Sequence, residues 1–208
     1  MTAADGSRFT YGKLLIASGC HLRRLTIPGS ELPGLFYLRT LEESEALRAA
    51  TTEARQAVVI GGGFIGLEVA SVLAQLGLSV SIIHHSDRLF EKFASDEIST
   101  FFEELYAGHG VHMIYNDEAV QLTGAERVED VVTQSGRTLP CDLAVAGIGV
   151  WPDTSWLYNG GLELVNGVVV NEGQQPHVPD AYGAGRNATC RDLIVGMQRC
   201  LQHSDTSL

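Results

Sequence analysis

The sequence has no C-x-x-C, no zinc-ligand pairing of cysteines and histidines, no basic tract and no apolar run approaching the length of a membrane span. Each absence removes a class of function. Cys20, Cys141, Cys190 and Cys200 are scattered, which argues against a redox-active cysteine pair or a structural zinc site; they read as incidental or buried thiols of a reducing compartment. Fourteen Lys and Arg against 25 Asp and Glu leave a net charge of −11, so neither nucleic acid nor an anionic membrane is an expected partner, while a basic protein remains open. Met1 opens on polar residues instead of a signal peptide, so the chain reads as a soluble, cytoplasmic protein. The seven histidines are dispersed, except that His84 and His85 are adjacent. At a strand end they project to opposite faces and cannot easily share one metal. The length of 208 residues allows one large domain or two small ones with a sizeable core.

What is there is concentrated between Gln56 and Ala70, Q-A-V-V-I-G-G-G-F-I-G-L-E-V-A. Ala57 to Ile60 is an apolar, β-branched run of the kind that forms a strand buried on both faces. Gly61, Gly63 and Gly66 follow at G-x-G-x-x-G spacing, then a helix-forming segment to Leu76 that stops at Gly77, then a second strand, Ser79 to Ile83. One glycine serves a tight turn, one lets backbone approach a pyrophosphate, one seats the helix on the strand. The free N–H groups and dipole of the helix start hold the phosphates. A dinucleotide is the ligand this unit predicts. In the helix Phe64, Ile65, Leu67, Val69, Val72, Leu73 and Leu76 are apolar almost all round, as expected for a helix sandwiched between a sheet and its neighbours. Glu68 either favours the helix dipole or looks into the cleft where a nicotinamide would lie. His84 stands where such folds carry Asp or Glu for the adenosine ribose. A neutral imidazole could accept there; a protonated one, with Arg88 nearby, could favour a 2′-phosphate.

The rest of the chain reads as α/β. A short strand at Leu14 to Ala17 runs into a Ser-Gly turn, Cys20 to Leu35 is loop by its Pro-Gly signals, and Phe36 to Leu38 is a brief strand. Thr40 and Glu43 form a capping box for a helix to about Ala50. Arg39, just before it, is either a loop charge or a residue of the cofactor cleft. Ile98, Phe101, Phe102, Leu105 and Tyr106 give Ser95 to His109 an amphipathic helical period, and Val111 to Tyr115 is a strand. Ala119 to Leu122, Val128 to Thr133 and Thr138 to Pro140 form a small antiparallel insert. Asp142 to Gly147 returns to a buried strand that ends in Gly147-Ile148-Gly149-Val150-Trp151-Pro152, a glycine-bearing turn at a carboxyl strand end, where α/β folds place ligands. Thr154 to Gly160 holds one helical turn, Leu162 to Val170 a hairpin turning at Asn166-Gly167, Ala181 to Gly185 a last strand, Leu193 to Gln202 a short helix and His203 to Leu208 a frayed tail.

Taken together, Y-G-K-L-L-I-A-S-G (11–19), Y-L-R-T-L-E (37–42), V-V-I-G-G-G-F-I-G-L-E-V-A (58–70), L-P-C-D-L-A-V-A-G-I-G-V-W-P (139–152), N-G-V-V-V-N-E (166–172) and the closing Gly183-Ala184-Gly185 resemble the pyridine nucleotide-dependent flavoprotein reductases, in particular those of ferredoxin reductase type. The resemblance implies two Rossmann-like domains, one for FAD and one for NAD(P)H, with NADH favoured. Hydride would pass from nicotinamide to flavin and single electrons onward to a ferredoxin-like iron–sulfur protein. By position, Gly61 to Gly66, including Gly62, Phe64 and Ile65, would hold the dinucleotide. Glu68 would lie near the nicotinamide, Gly147, Ile148 and Gly149 would line the same cleft, and Ala17-Ser18-Gly19 and Gly185 would border the flavin. No side chain need act as nucleophile or general base.

The sequence departs from that pattern in four places. Only ten residues precede Tyr11, so the FAD-binding strand–G-x-G-x-x-G–helix is expected to be absent. The C-terminal interface domain is expected to be absent too. Arg186 follows Gly185 where the family has Asp, and a guanidinium cannot accept a hydroxyl hydrogen bond. His84 replaces the usual Glu. The expected organisation is a nucleotide-binding domain over 36–151 between partial FAD-binding segments, 1–35 and 152–208. Such a chain is either an incomplete reductase or a redox-inactive nucleotide-binding module that needs a partner chain. An unfinished sheet should also make it prone to self-association.

Overall fold

Ala57 to Ile60 is buried along its whole length, Val59 completely, because strands pair with it on both sides and a helix covers one face of the sheet and an antiparallel insert the other. The structure, a computed structural model, describes residues 1–91, 94–191 and 198–200. In chain order the elements are β1 (Leu14–Ile16), β2 (Cys20–Leu22), β3 (Leu35–Phe36), α1 (Leu41–Ala50), β4 (Gln56–Ile60), α2 (Phe64–Gln75), β5 (Ser79–Ile83), α3 (Asp96–Gly108) and β6 (Val111–Ile114). Then come β7 (Ala119–Thr123), β8 (Asp130–Thr133), β9 (Thr138–Pro140), β10 (Leu143–Ala146), β11 (Val150–Pro152), β12 (Val168–Val169), β13 (Ala181–Gly183), β14 (Ala188–Arg191) and β15 (Gln198–Cys200).

The chain divides into two compact units, Leu22–Gly149 and the flanking segments Met1–His21 with Val150–Leu208. The central unit is a five-stranded parallel sheet in the order β3-β10-β4-β5-β6. The β4 strand pairs Ala57↔Val80 through Ile60↔Ile83 on one side and Ala57↔Leu143 through Ile60↔Ala146 on the other. One face of the sheet packs on Leu67, Ala70 and Leu73 of α2. The other packs on the antiparallel insert β7-β8-β9 through Leu122, Val128 and Val131. The Thr40–Glu43 capping box starts α1 as expected. The expected boundaries at 35/36 and 151/152 differ from the observed division because residues 22–34 are tied to the central unit: Pro28 and Pro33 carbonyls accept from Leu122 and Val128, and Gly34 from Ala144.

In the outer unit β1 pairs in parallel with β13, Leu14↔Ala181 to Ile16↔Gly183. Ile16, Val168, Val170 and Ala188 form its core.

Four expectations need correction. Residues 20–35 are not all loop, since Cys20–Leu22 pairs with β11. The 193–202 helix is contradicted where it is described: Gln198–Cys200 is a strand antiparallel to β14, and 193–197, 201–202 and the 203–208 tail lie outside the described residues. At Asn166-Gly167 only a Leu164↔Val168 bridge forms, and β12 pairs instead with β14, in parallel. Finally, α2 is not sandwiched all round: Phe64, Ile65, Val72 and Leu76 are exposed.

Candidate dinucleotide-binding site

Leaving β4, the chain goes to β5 on one side of the sheet, whereas β10 lies on the other. The carboxyl ends of β4 and β10 therefore flank the point where strand order reverses, which is where open α/β sheets hold ligands. Gly61 and Gly147 stand there, face to face. Gly61 has φ +107°, and a Cβ on it would lie 2.5 Å from the Gly147 carbonyl oxygen. A Cβ on Gly66 would overlap the Gly61 carbonyl oxygen, and one on Gly147 would come within 3.2 Å of the Gly66 nitrogen. Three stretches of main chain thus touch with no room for side chains.

Gly63 differs. Its φ of −83° and ψ of −178° suit any residue, and a Cβ there would meet nothing within 4 Å. It is the N-cap of α2 and supplies no side-chain cap. The first-turn N–H groups have no carbonyl four residues back inside the helix. The protein's own packing does not use the smallness of Gly63; it leaves open the approach to those donors.

Gly62 is held from behind. Its N–H donates to His84 Nδ1 at 3.3 Å. The other ring nitrogen, Nε2, lies 3.2 Å from the Arg88 carbonyl and donates to it, since Nδ1 is the acceptor. His84 is only 7% exposed. Burial lowers its pKa, and the neighbouring His85 adds to this; the Arg88 carbonyl and the Glu91 and Glu103 carboxylates oppose it. The ring is a neutral bracket. Neither nitrogen is left for a ribose, which differs from the expectation that His84 faces the cofactor. Arg88 is likewise engaged, donating from Nη1 to the Ala94 carbonyl (3.0 Å) and Ser99 Oγ (2.9 Å), from Nη2 to the Glu91 carbonyl (3.2 Å), and pairing through Nε with Asp96 (3.3 Å).

His85 points the other way and is exposed. It lines two hollows. One, of about 150 Å³, is bounded by Gly62, Gly63, Phe64, Ser86 and Phe90. The other, of about 370 Å³, is bounded by Arg23, Ile60, Gly61, Asp117 and Ile148. Phe64, 61% exposed, and Ile65, 41% exposed, form an apolar shelf at the helix start. Gly149, at φ +98°, accepts from the Arg23 N–H at 3.0 Å. Burial alone would raise the Asp117 carboxyl, but hydrogen bonds from Ser135, Thr133 and the Glu118 N–H hold it down at about 2. Glu68 is exposed and lines a separate groove of about 610 Å³ with Ser44, Arg48 and Thr51. Arg39 is exposed.

In the outer unit Ser18 Oγ donates to the Asp153 carbonyl (2.6 Å), and the amide of fully buried Asn187 meets the same Oγ at 3.0 Å. Gly19 and Gly185 both have φ +77°; Ala17, Gly185 and Arg186 are exposed. Sequence reasoning missed Asn187, for which no local signal exists. It also missed His85, which strand alternation could have singled out. Burial and nearby Asp130 and Asp142 push the Cys141 thiol up to about 12, leaving it inert. Among the described residues no cluster of three or more His, Cys, Asp or Glu could hold a metal ion, and no helix is long and apolar enough to cross a membrane.

Strand order and glycine turn together define a Rossmann-like α/β module with a dinucleotide-type cradle. Residues 1–200 match the pyridine nucleotide-disulphide oxidoreductase family, and the chain belongs to it. It is 38% identical over 187 residues to the 5,5′-dehydrodivanillate O-demethylase ferredoxin reductase subunit of Sphingobium sp. (strain NBRC 103272 / SYK-6), covering 89% of this chain and 45% of that one. It is 34% identical to a rubredoxin-NAD(+) reductase of Pseudomonas putida, covering 94% and 51%. The crystal structure of the ferredoxin reductase for the CYP199A2 system of Rhodopseudomonas palustris superposes with TM-score 0.88 at 35% identity, over 96% of this chain and 50% of that one. The chain spans about half the length of the curated relatives it matches.

Proposed function

We propose that this chain carries the nicotinamide dinucleotide-binding part of a ferredoxin reductase-type flavoprotein. The observation that carries the reading is Gly63: it caps a helix start with no side chain, beside two glycines that packing does require. The pyrophosphate rests on the N–H groups of the first turn of α2. Phe64 and Ile65 give the nicotinamide an apolar surface, and Gly147-Ile148-Gly149 keeps main chain close without filling the cleft, whereas Glu68 lines the separate groove beside Arg48. When bound, NAD(P)H and FAD supply hydride transfer from nicotinamide to flavin and then single electrons for a ferredoxin-like iron–sulfur protein. The chain's own part is binding, orientation and exclusion of water.

For the flavin the fit is partial. The Ala17-Ser18-Gly19 turn, braced by Asn187, and Gly185 are in place within the outer unit. Arg186 is donor-only where a hydroxyl acceptor is expected, so it suits a phosphate but not a ribityl chain. That residue favours a second reading, a nucleotide-binding module that takes up flavin only with a partner chain. Absorbance of the purified protein separates the two. A yellow protein bleached by NADH supports the reductase. A colourless one that changes NADH fluorescence on binding supports the module. A protein that does neither overturns both.

A further inference from the structure

We propose that one side of α3 is a docking surface for a basic amphipathic helix of a partner protein, a role separate from the dinucleotide cradle. Ile98, Phe101 and Leu105 recur at helical spacing on that side, and all three are exposed, Phe101 to 60%. Phe101 is braced from behind. Its ring meets Phe102 edge to face at 5.4 Å between centroids, and Phe102 meets Phe90 in the same way at 5.2 Å. Phe90 and Phe102 in turn pack against the core. An aromatic anchor held in this way loses little freedom when a partner covers it. Beside the stripe, α2 and α3 border a hollow of about 220 Å³ walled by Ala74, Phe102, Leu105 and Val111. Its polar side chains are satisfied. Tyr106 Oη donates to the Leu67 carbonyl (2.9 Å), His109 Nδ1 to the Leu105 carbonyl (2.7 Å) and Gln75 Nε2 to Ser71 Oγ (3.2 Å). The hollow therefore suits an apolar side chain.

Charge selects the occupant. α3 carries Asp96, Glu97, Glu103 and Glu104 and no Lys or Arg. Asp96 pairs with Arg88 at 3.3 Å, and Glu103 accepts the Leu89 N–H at 3.2 Å, so both are engaged within the protein. Glu97 and Glu104, two helical turns apart, form an exposed row alongside the stripe. A second copy would bring the same carboxylates and a net charge of −11 to this face, and like charges brought together oppose docking. A helix with apolar residues at i, i+3 or i+4 and i+7, flanked by Lys or Arg, matches the stripe, the hollow and the acidic row together.

The test is fluorescence anisotropy of labelled peptides titrated with the full chain. The probe is a helix-forming peptide of about 15 residues with Leu along one face and Lys flanking it; the control carries Glu in place of Lys. The basic peptide should bind at least about tenfold more tightly than the acidic one. Phe101→Ser should weaken it at least about tenfold by removing the anchor. Glu97→Gln with Glu104→Gln, both at exposed positions, should weaken it about threefold and flatten its dependence on salt. Circular dichroism melts establish that each variant is folded, and the double variant tests the assignment even if Phe101→Ser is not. Basic-peptide binding that survives Phe101→Ser in a folded chain is general attraction to an acidic protein and overturns the assignment. Equal binding of the two peptides, no binding, or a double variant that behaves as the wild type overturns it too. Concentration-dependent sedimentation abolished by Phe101→Ser would make a second copy the occupant and overturn it as well. None of these results bears on the dinucleotide site.

Discussion

His84 Nδ1 accepts the Gly62 N–H at 3.3 Å, so a strand-end imidazole fixes the loop on which the dinucleotide cradle turns. The bond requires an unprotonated Nδ1, since a proton there would face the Gly62 N–H donor to donor. Burial, the largest cause, and His85 lower the His84 pKa against the opposing pull of the Arg88 carbonyl, Glu91 and Glu103. The unfolded chain therefore takes up a proton that the folded one refuses. The stability due to this group is complete at neutral pH and is lost as pH falls below the ordinary histidine value of about 6.5. Thermal midpoints between pH 5 and 8 should fall on the acid side for the wild type and less steeply for His84→Asn. Protection by NADH should weaken over the same window. Equal slopes for the two proteins would show that His84 takes up its proton at the same pH in the folded and the unfolded chain.

Gly63 and Gly66 separate binding from folding. Gly63→Val meets open space, so its cost is confined to a poorer helix cap and entry, about 1 kcal/mol, while NADH binding should fall beyond detection. Gly66→Ala drives a methyl into the Gly61 carbonyl oxygen and should cost about 1–3 kcal/mol through overpacking. Chemical denaturation together with NADH titration reads both. If Gly63→Val binds NADH as the wild type does, the cradle is not where the pyrophosphate lies.

The sequence made the central unit legible because its signals are local. A β-branched run, spaced glycines and a capping box each dictate one element, and Gln56–Ile60, Phe64–Gln75 and Ser79–Ile83 follow from them directly. Long-range pairing was less accessible. β2 forms because β11, about 130 residues later, lies beside it, and no property of C-H-L announces a strand. The inward turn of His84 was hidden for the same reason: what captures its ring are the Gly62 N–H, 22 residues before it, and a carbonyl beyond the strand. Helix α2 looked fully enclosed because apolar composition does not reveal whether a neighbour is there to cover the outer face.

Asp117 governs stability at lower pH. Its Oδ1 accepts from the Glu118 and Ser135 N–H groups (3.0 and 3.1 Å) and its Oδ2 from Ser135 Oγ (2.6 Å). Held at about 2, below the ordinary value of about 4, this carboxylate stabilises the fold above pH 4 and loses that contribution as pH falls from 4 toward 2. The loss amounts to about 2 kcal/mol at most. Asp117→Asn should lower stability at pH 7 and flatten its acid dependence in that interval. An unchanged acid limb in urea melts would remove Asp117 from the account.

The exposed stripe of α2 gives a prediction about association. Ile65, Val72 and Leu76 fall on one face of the helix by spacing, and each is exposed. Exposed Glu68 lies between Ile65 and Val72 on that side, and no charged residue follows it in the helix. Exposed apolar side chains on one side of a helix drive contact between copies through the area they remove from solvent. Sedimentation of the wild-type chain should therefore depend on concentration. Val72→Glu with Leu76→Lys interrupts the stripe, and its favourable Glu→Lys pair at i, i+4 offsets the repulsion from Glu68 four residues earlier, each worth a few tenths of a kcal/mol. The double variant should sediment as a monomer with an unchanged thermal midpoint. NADH affinity should be unchanged as well, because Val72 and Leu76 line neither hollow beside Gly61–Gly63. A wild-type chain that stays monomeric across the concentration range would mean that these three side chains are too dispersed to bind another copy.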